Sequence, residues 1–154
     1  MDTTSNPGTT SNPDPANPPA PRVGVFPAFQ AHDARAEIRF LCDVLGFVET
    51  LVVPGEGDTV AHAQLDWPGG GAVMLGTYAP DREYQREPGT LGAYLVIGDA
   101  GLEALVARAE SAGARIVQPL RSPEHGGRDV TIASPEGNLW SIGTYPGEPP
   151  ATTV

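Results

Sequence analysis

The chain contains no lysine; all nine of its basic residues are arginine. That excludes chemistry run through a lysine Schiff base and the phosphate-binding P-loop, whose lysine reaches the phosphates. Cysteine is almost as scarce. Cys42 stands alone, so neither an intrachain disulfide nor a cysteine-based zinc site can form, and a reducing, cytoplasmic setting is expected. No stretch approaches the ~20 apolar residues of a membrane-spanning helix. Positive charge is also short: 9 basic residues face 19 acidic ones, for a net charge of −10. Nucleic acid and anionic membrane are therefore not expected as partners, because both are recognised by basic surface. The excess acid suits a neutral or cationic ligand, and solubility alone also accounts for it.

Apolar residues are nearly absent from residues 1–21, which are built from Thr, Ser, Asn, Asp, Ala and Pro and repeat TTSNP at Thr3 and Thr9. Such a segment cannot bury enough surface to offset its ordering entropy, so a disordered tail is expected. It lacks the basic start and apolar run of a signal peptide. Residues 146–154 read as a second, shorter flexible tail. What remains, residues 22–145, is enough for one domain with one core.

That domain repeats itself. Asp33-Ala34 recurs as Asp99-Ala100, 66 positions on, and Gly76-Thr77-Tyr78 recurs as Gly143-Thr144-Tyr145, 67 positions on. The same offset lays Gly70 on Gly137, each in the turn before a last strand. The halves, about 23–78 and 90–145, read as two copies of one βαβββ unit, an α+β pair. In the first, VGVFPAFQ is a strand and Asp33 caps a helix with Ile38, Leu41, Cys42 and Leu45 on one face. Gly46 ends that helix in the left-handed region. FVETLVV, TVAHAQLDW and AVMLGTY follow as strands. In the second, LGAYLVIG is a strand, Asp99 caps a helix with Leu102, Leu105, Val106 and Ala109 inward, and Gly113 closes it. ARIVQPL, RDVTIAS and LWSIGTY complete the set. Cys42 is read as a core thiol.

Three stretches, AHDARAEIRFLCDVLGF, VAHAQLDWPGGGAVMLG and RDVTIASPEGNLWSIGTY, make the chain resemble the vicinal-oxygen-chelate superfamily, the glyoxalase/bleomycin-resistance/dioxygenase fold. The resemblance covers nearly all of residues 22–145. It implies two βαβββ units whose sheets curl around a shared cleft, and a homodimer. Metal enzymes of this fold hold a divalent ion with His, Gln or Glu on the first and last strands of each unit. Carried over, those positions are Phe26 and Gly92, seven residues before Asp33 and Asp99, and Met74 and Ser141, four after Gly70 and Gly137. None suits a hard metal ion, so no metal and no cofactor are expected. Gln30 shares a strand face with Phe26, and Glu136 sits in a turn that ordinarily points to solvent. His32, His62 and His125 are scattered.

The resemblance to the metal-free, bleomycin-resistance-like branch implies a cleft lined by aromatic and small residues that sequesters an aromatic antibiotic or natural product. The expected ligand-binding residues are Phe26, His62, Trp67, Met74, Tyr94 and Ser141; no catalytic residue is expected. Gly92 leaves room, Trp67 folds over the guest, Trp140 points to the core, and Arg121 and His125 lie on a rim loop. Two alternatives stay open. One is a lyase, isomerase or dioxygenase on the same fold, using His62 with Glu56 or Asp66 as acid and base. The other is a vestigial cleft in a protein that only associates.

Overall fold

The computed structural model describes residues 24–124 and 126–151. The tail expected over residues 1–21, and His125, lie outside the described residues. Eight strands and two helices form the α+β pair: β1 (Ala28–Ala31), α1 (Ala34–Phe40), a π-helical turn (Leu41–Leu45), β2 (Val48–Pro54), β3 (Val60–Asp66), β4 (Ala72–Thr77), β5 (Gly92–Val96), α2 (Asp99–Ser111), β6 (Arg115–Arg121), β7 (Asp129–Ala133) and β8 (Leu139–Gly143). Each unit makes its own four-stranded sheet, in the orders β1-β4-β3-β2 and β5-β8-β7-β6. In both, the first strand runs parallel to the last and the other neighbours are antiparallel. No described helix is long and apolar enough to cross a membrane.

The repeated Gly-Thr-Tyr fixes the same backbone contact twice. Thr77 Oγ1 accepts from Val60 N at 2.8 Å, and Thr144 Oγ1 accepts from Arg128 N at 3.0 Å. Each hydroxyl thus satisfies an amide where the neighbouring strand begins. The glycine ahead of it is required by closeness. A Cβ on Gly76 would stand 3.0 Å from the Ala61 carbonyl oxygen, and one on Gly143 would stand 2.7 Å from that of Arg128.

The two helices start differently. Asp33 caps α1 as expected, its Oδ1 accepting from Ala36 N at 2.9 Å. Asp99 does not cap α2. It is the first helical residue, Gly98 is the N-cap without a side-chain bond, and the Asp99 carboxylate lies 3.5 Å from Arg128 instead. The end of α1 also departs from expectation. Its last turn widens into a π-turn, and the amides of Gly46 and Phe47 both donate to the Leu41 carbonyl. Gly46, at φ 92°, allows the exit. The widening buries Leu41, Val44 and Leu45 and leaves Cys42 half-buried against the core rather than inside it. Burial, then the Glu49 and Asp43 carboxylates, push the Cys42 thiol up, which disfavours the thiolate. On α2, Leu102, Leu105 and Ala109 are buried and Val106 packs against the core from a half-buried position.

The units share one core. Trp140 of β8 is fully buried, with its ring edge-on to Phe29 of β1 at 6.0 Å and to Phe47 at 5.7 Å. Beside it runs a polar junction. Glu37 of α1 is completely buried, and its Oε1 accepts from Asn138 Nδ2 at 2.9 Å. Asn138 Oδ1 accepts from Leu91 N at 3.0 Å. Glu136 does not point to solvent as expected: its Oε1 accepts from Asp33 N at 2.7 Å. The β7–β8 turn therefore clamps the start of α1.

Burial pushes the Glu37 carboxyl above the ordinary carboxylate range, opposed by hydrogen bonding to Ser134, then Asn138, then the Glu136 backbone. A folded-state pKa above the unfolded one means the contribution to stability is full below the unfolded pKa and is lost as pH rises through the folded value. Urea denaturation across that interval should therefore show Glu37→Gln gaining on the wild type as pH rises. A difference between the two that is flat with pH would contradict this.

Candidate functional site

Alternation along the strands gives each sheet two faces. One packs on the helices and the shared core; the other is open. On the first sheet, register aligns Ala28, Met74, Gln64 and Leu51 across the open face, with His62 beside Val53 further along. On the second, the equivalent row is Tyr94, Ser141, Thr131 and Gln118, and the next holds Val96, Gly143, Asp129 and Arg121. Met74, His62 and Ser141 are half-buried, and Tyr94 is 43% exposed.

The second open face is the more organised. Tyr94 lies across Gly143, where any Cβ would strike its hydroxyl, and that hydroxyl donates to the Tyr145 carbonyl at 3.2 Å. Thr131 Oγ1 and Ser141 Oγ share a hydrogen bond of 2.9 Å. Asp129 Oδ1 accepts from Gln118 Nε2 at 3.1 Å and from Arg121 Nε at 2.9 Å. Arg121 is thus the last residue of β6 and bonded to its neighbour strand, not part of a rim loop. Period-two spacing in RDVTIAS puts Asp129 and Thr131 on one face, a signal present in the sequence.

The six expected ligand residues are divided between places. Met74 and His62 sit on the first open face, Tyr94 and Ser141 on the second. Phe26 precedes β1, which is shorter than VGVFPAFQ. Pro27 has no N–H to donate and joins β4 only through its carbonyl, which accepts from Met74 N at 2.9 Å. Ala28, not Phe26, therefore neighbours Met74. Trp67 is not poised to fold over a guest. Its Nε1 donates to the Val96 carbonyl at 3.0 Å and its ring lies 5.1 Å from Phe47. It closes the seam between the sheets, lining with Tyr94 and Phe47 a cavity of ≈ 310 Å³. Gln30 Oε1 is occupied by the Arg86 amide, and exposed His32 stands against the Tyr78 ring, 3.7 Å from Glu87.

The donor set does not fit a divalent ion. Phe26 and Gly92 carry no ligand atom, Met74 offers a thioether, and the Ser141 hydroxyl is held by Thr131. Among the described residues, no three of His, Cys, Asp and Glu group as a metal site. The acid–base pairing considered for His62 also fails with Asp66. The two are four residues apart on one extended strand, about 13 Å, and Asp66 takes the Gln64 amide at 2.9 Å. Glu56 is exposed in the β2–β3 turn.

The pattern that defines the Glyoxalase/Bleomycin resistance protein/Dioxygenase superfamily matches residues 25–142. Among solved structures, TioX from Micromonospora sp. ML1 is 29% identical over 78% of this chain and 98% of that one, with a TM-score of 0.62. Lactoylglutathione lyase from Agrobacterium tumefaciens is 20% identical over 80% and 94%, with a TM-score of 0.59. The fosfomycin resistance protein FosX from Mesorhizobium loti is 15% identical over 82% and 94%, with a TM-score of 0.55. At these identities the last two show a shared fold. No curated protein matches the sequence.

The contact of Tyr94 with Gly143 is open to direct test. Gly143→Ala should crowd the Arg128 carbonyl and displace the Tyr94 hydroxyl, costing about 1–3 kcal/mol by overpacking, read as a lower urea midpoint with altered tyrosine near-ultraviolet dichroism. A spectrum left unchanged in the folded variant would show that Tyr94 does not rest there.

Proposed function

The chain belongs to the glyoxalase/bleomycin resistance protein/dioxygenase superfamily, and from that membership we propose that it is a cytoplasmic, metal-independent protein that binds and sequesters a planar aromatic compound, an antibiotic or other natural product. The observation that carries this reading is the exchange of ligand chemistry for contact chemistry. Positions suited to metal donors hold Phe26, Met74, Gly92 and Ser141, while Met74 and Tyr94 point out of the open faces. Exchanging charged metal donors for uncharged side chains at these positions lowers the desolvation cost of an apolar guest there, and an exposed ring adds a stacking partner. His62 lies on the first of these faces, and Phe26 stands two residues before β1 at its border.

A second copy of the chain completes the reading. Val48, Leu51 and Val53 of β2, Val117 of β6 and Leu139 of β8 are 40–57% exposed. Apolar side chains gathered on the open sheets and their edges mark a surface that another protein covers, and a twofold pairing of the chain with itself uses both faces at once.

Binding is tested by titrating an acridine, a hydroxyquinoline and a quinone-type antibiotic, following tryptophan fluorescence with and without EDTA, then weighing the recovered ligand. Micromolar affinity, about 8 kcal/mol, unaffected by EDTA and leaving the ligand mass unchanged, is the expected result. Loss of binding in EDTA with recovery on adding Zn, Ni, Fe or Mn, or a ligand of altered mass, would replace sequestration with an enzyme.

Oligomeric state is a separate measurement. Light scattering should give twice the chain mass of 16.0 kDa, and Leu51→Glu should shift the population to monomer. A wild type that stays monomeric at tens of micromolar would remove the dimer from the proposal.

A further inference from the structure

We infer that the Thr131–Ser141 hydroxyl pair is the polar anchor of the binding face, and that the ligand is an aromatic bearing an oxygen, a phenol or a ring ketone, set against that pair with its ring on Tyr94. The inference rests on the aromatic-binding reading above and narrows it to one ligand chemistry.

The pair stands out because it is the group paired directly beside Tyr94 that keeps uncommitted hydrogen-bonding capacity. Thr131 Oγ1 and Ser141 Oγ are bonded to each other at 2.9 Å. Only one of the two O–H groups is used in that bond, so the second O–H remains a donor and lone pairs remain as acceptors. The polar groups further along the face bind one another first. Gln118 and Arg121 both bind Asp129 Oδ1, which also balances charge between Arg121 and Asp129. The Tyr94 hydroxyl is bound to the Tyr145 carbonyl.

Geometry sets the ring beside the oxygen. Tyr94 and Ser141 are paired neighbours, and Ser141 pairs in turn with Thr131. Strands lie about 4.8 Å apart, so the row from Tyr94 to Thr131 spans about 10 Å, the length of two or three fused rings. The Tyr94 hydroxyl is held by its bond to the Tyr145 carbonyl and lies over Gly143. A flat guest resting on that ring brings a substituent oxygen over the half-buried hydroxyls. The first sheet offers no such anchor. At the equivalent positions it has Ala28, Met74 and Gln64, and the Gln64 amide is tied to Asp66.

The pair both donates and accepts, so it favours a ketone or a phenol over the parent hydrocarbon. A site built around a hydrogen-bonding group discriminates against a guest that leaves that group unpaired. The test compares fluorenone with fluorene and 1-naphthol with naphthalene, by calorimetry and fluorescence on the full chain. The wild type should bind each oxygenated compound at least tenfold more tightly than its hydrocarbon. The near-isosteric double variant Thr131→Val/Ser141→Ala should weaken fluorenone and 1-naphthol about tenfold or more, bringing them level with the hydrocarbons. The wild-type preference is read without any variant and decides the matter if the double variant fails to fold. Equal wild-type affinity for all four compounds would overturn the anchor and leave aromatic binding standing. So would a preference that survives in the folded double variant. If none of the four binds, nor any larger planar aromatic, the underlying reading falls and the anchor falls with it.

Discussion

The packing of Trp140 against Phe29 and Phe47 decides which surfaces the protein keeps and which it offers. One βαβββ unit is too small to bury a sheet face unaided. Here each lends apolar side chains to a single core in which an indole from the last strand of one unit meets a phenyl ring from the first strand of the other. Once those faces are joined, the opposite faces are committed to something other than the fold. Glu37 and Asn138 reinforce the choice. Their buried bond links residues 101 positions apart, and an unpaired carboxylate there would be costly.

Much of this architecture was legible in the sequence because it is written twice. The near-constant offset between Asp33 and Asp99, and between the two Gly-Thr-Tyr segments, marked two copies of one unit, and each strand and helix overlaps a stretch read from its own residue pattern. The structure then supplies the reason, since each threonine captures an amide and each glycine admits a close strand. What escaped were interactions made by the same residue types in unlike company. Glu37 looks like an ordinary solvated helix carboxylate until Asn138 reaches it from the other unit. Glu136 looks like a turn tip until the Asp33 amide does the same. Asp99 mirrors Asp33 in sequence, but its carboxylate turns to Arg128. Such partners are set by how the copies pack together, which a single strand or helix pattern does not encode.

The open faces show the same divergence turned to use. Strand alternation correctly sent Trp140 inward and Met74, Tyr94 and Ser141 outward. It gave no hint that Trp67 would be tied to Val96, because that bond spans the two sheets. Duplication conserved the backbone-shaping residues and released the outward ones to differ. Met74 corresponds to Ser141, Ala28 to Tyr94 and Gln64 to Thr131 in the two sheets. One sheet became aliphatic and the other hydroxyl-rich, so a symmetric scaffold presents an asymmetric surface.

The Trp67 indole has a second effect, on how the molecule avoids its own kind. Each four-stranded sheet ends in two strands with unpaired backbone, and such borders invite runaway strand addition and fibril growth. Two of the four borders carry a proline: Pro54 ends β2 and Pro119 lies within β6. Proline in an edge strand blunts the template. On β5, which has no proline, the Trp67 N–H occupies the Val96 carbonyl. A ring that serves the seam between sheets thereby also acts as a guard against aggregation, and its loss would be felt first in shelf life and refolding yield.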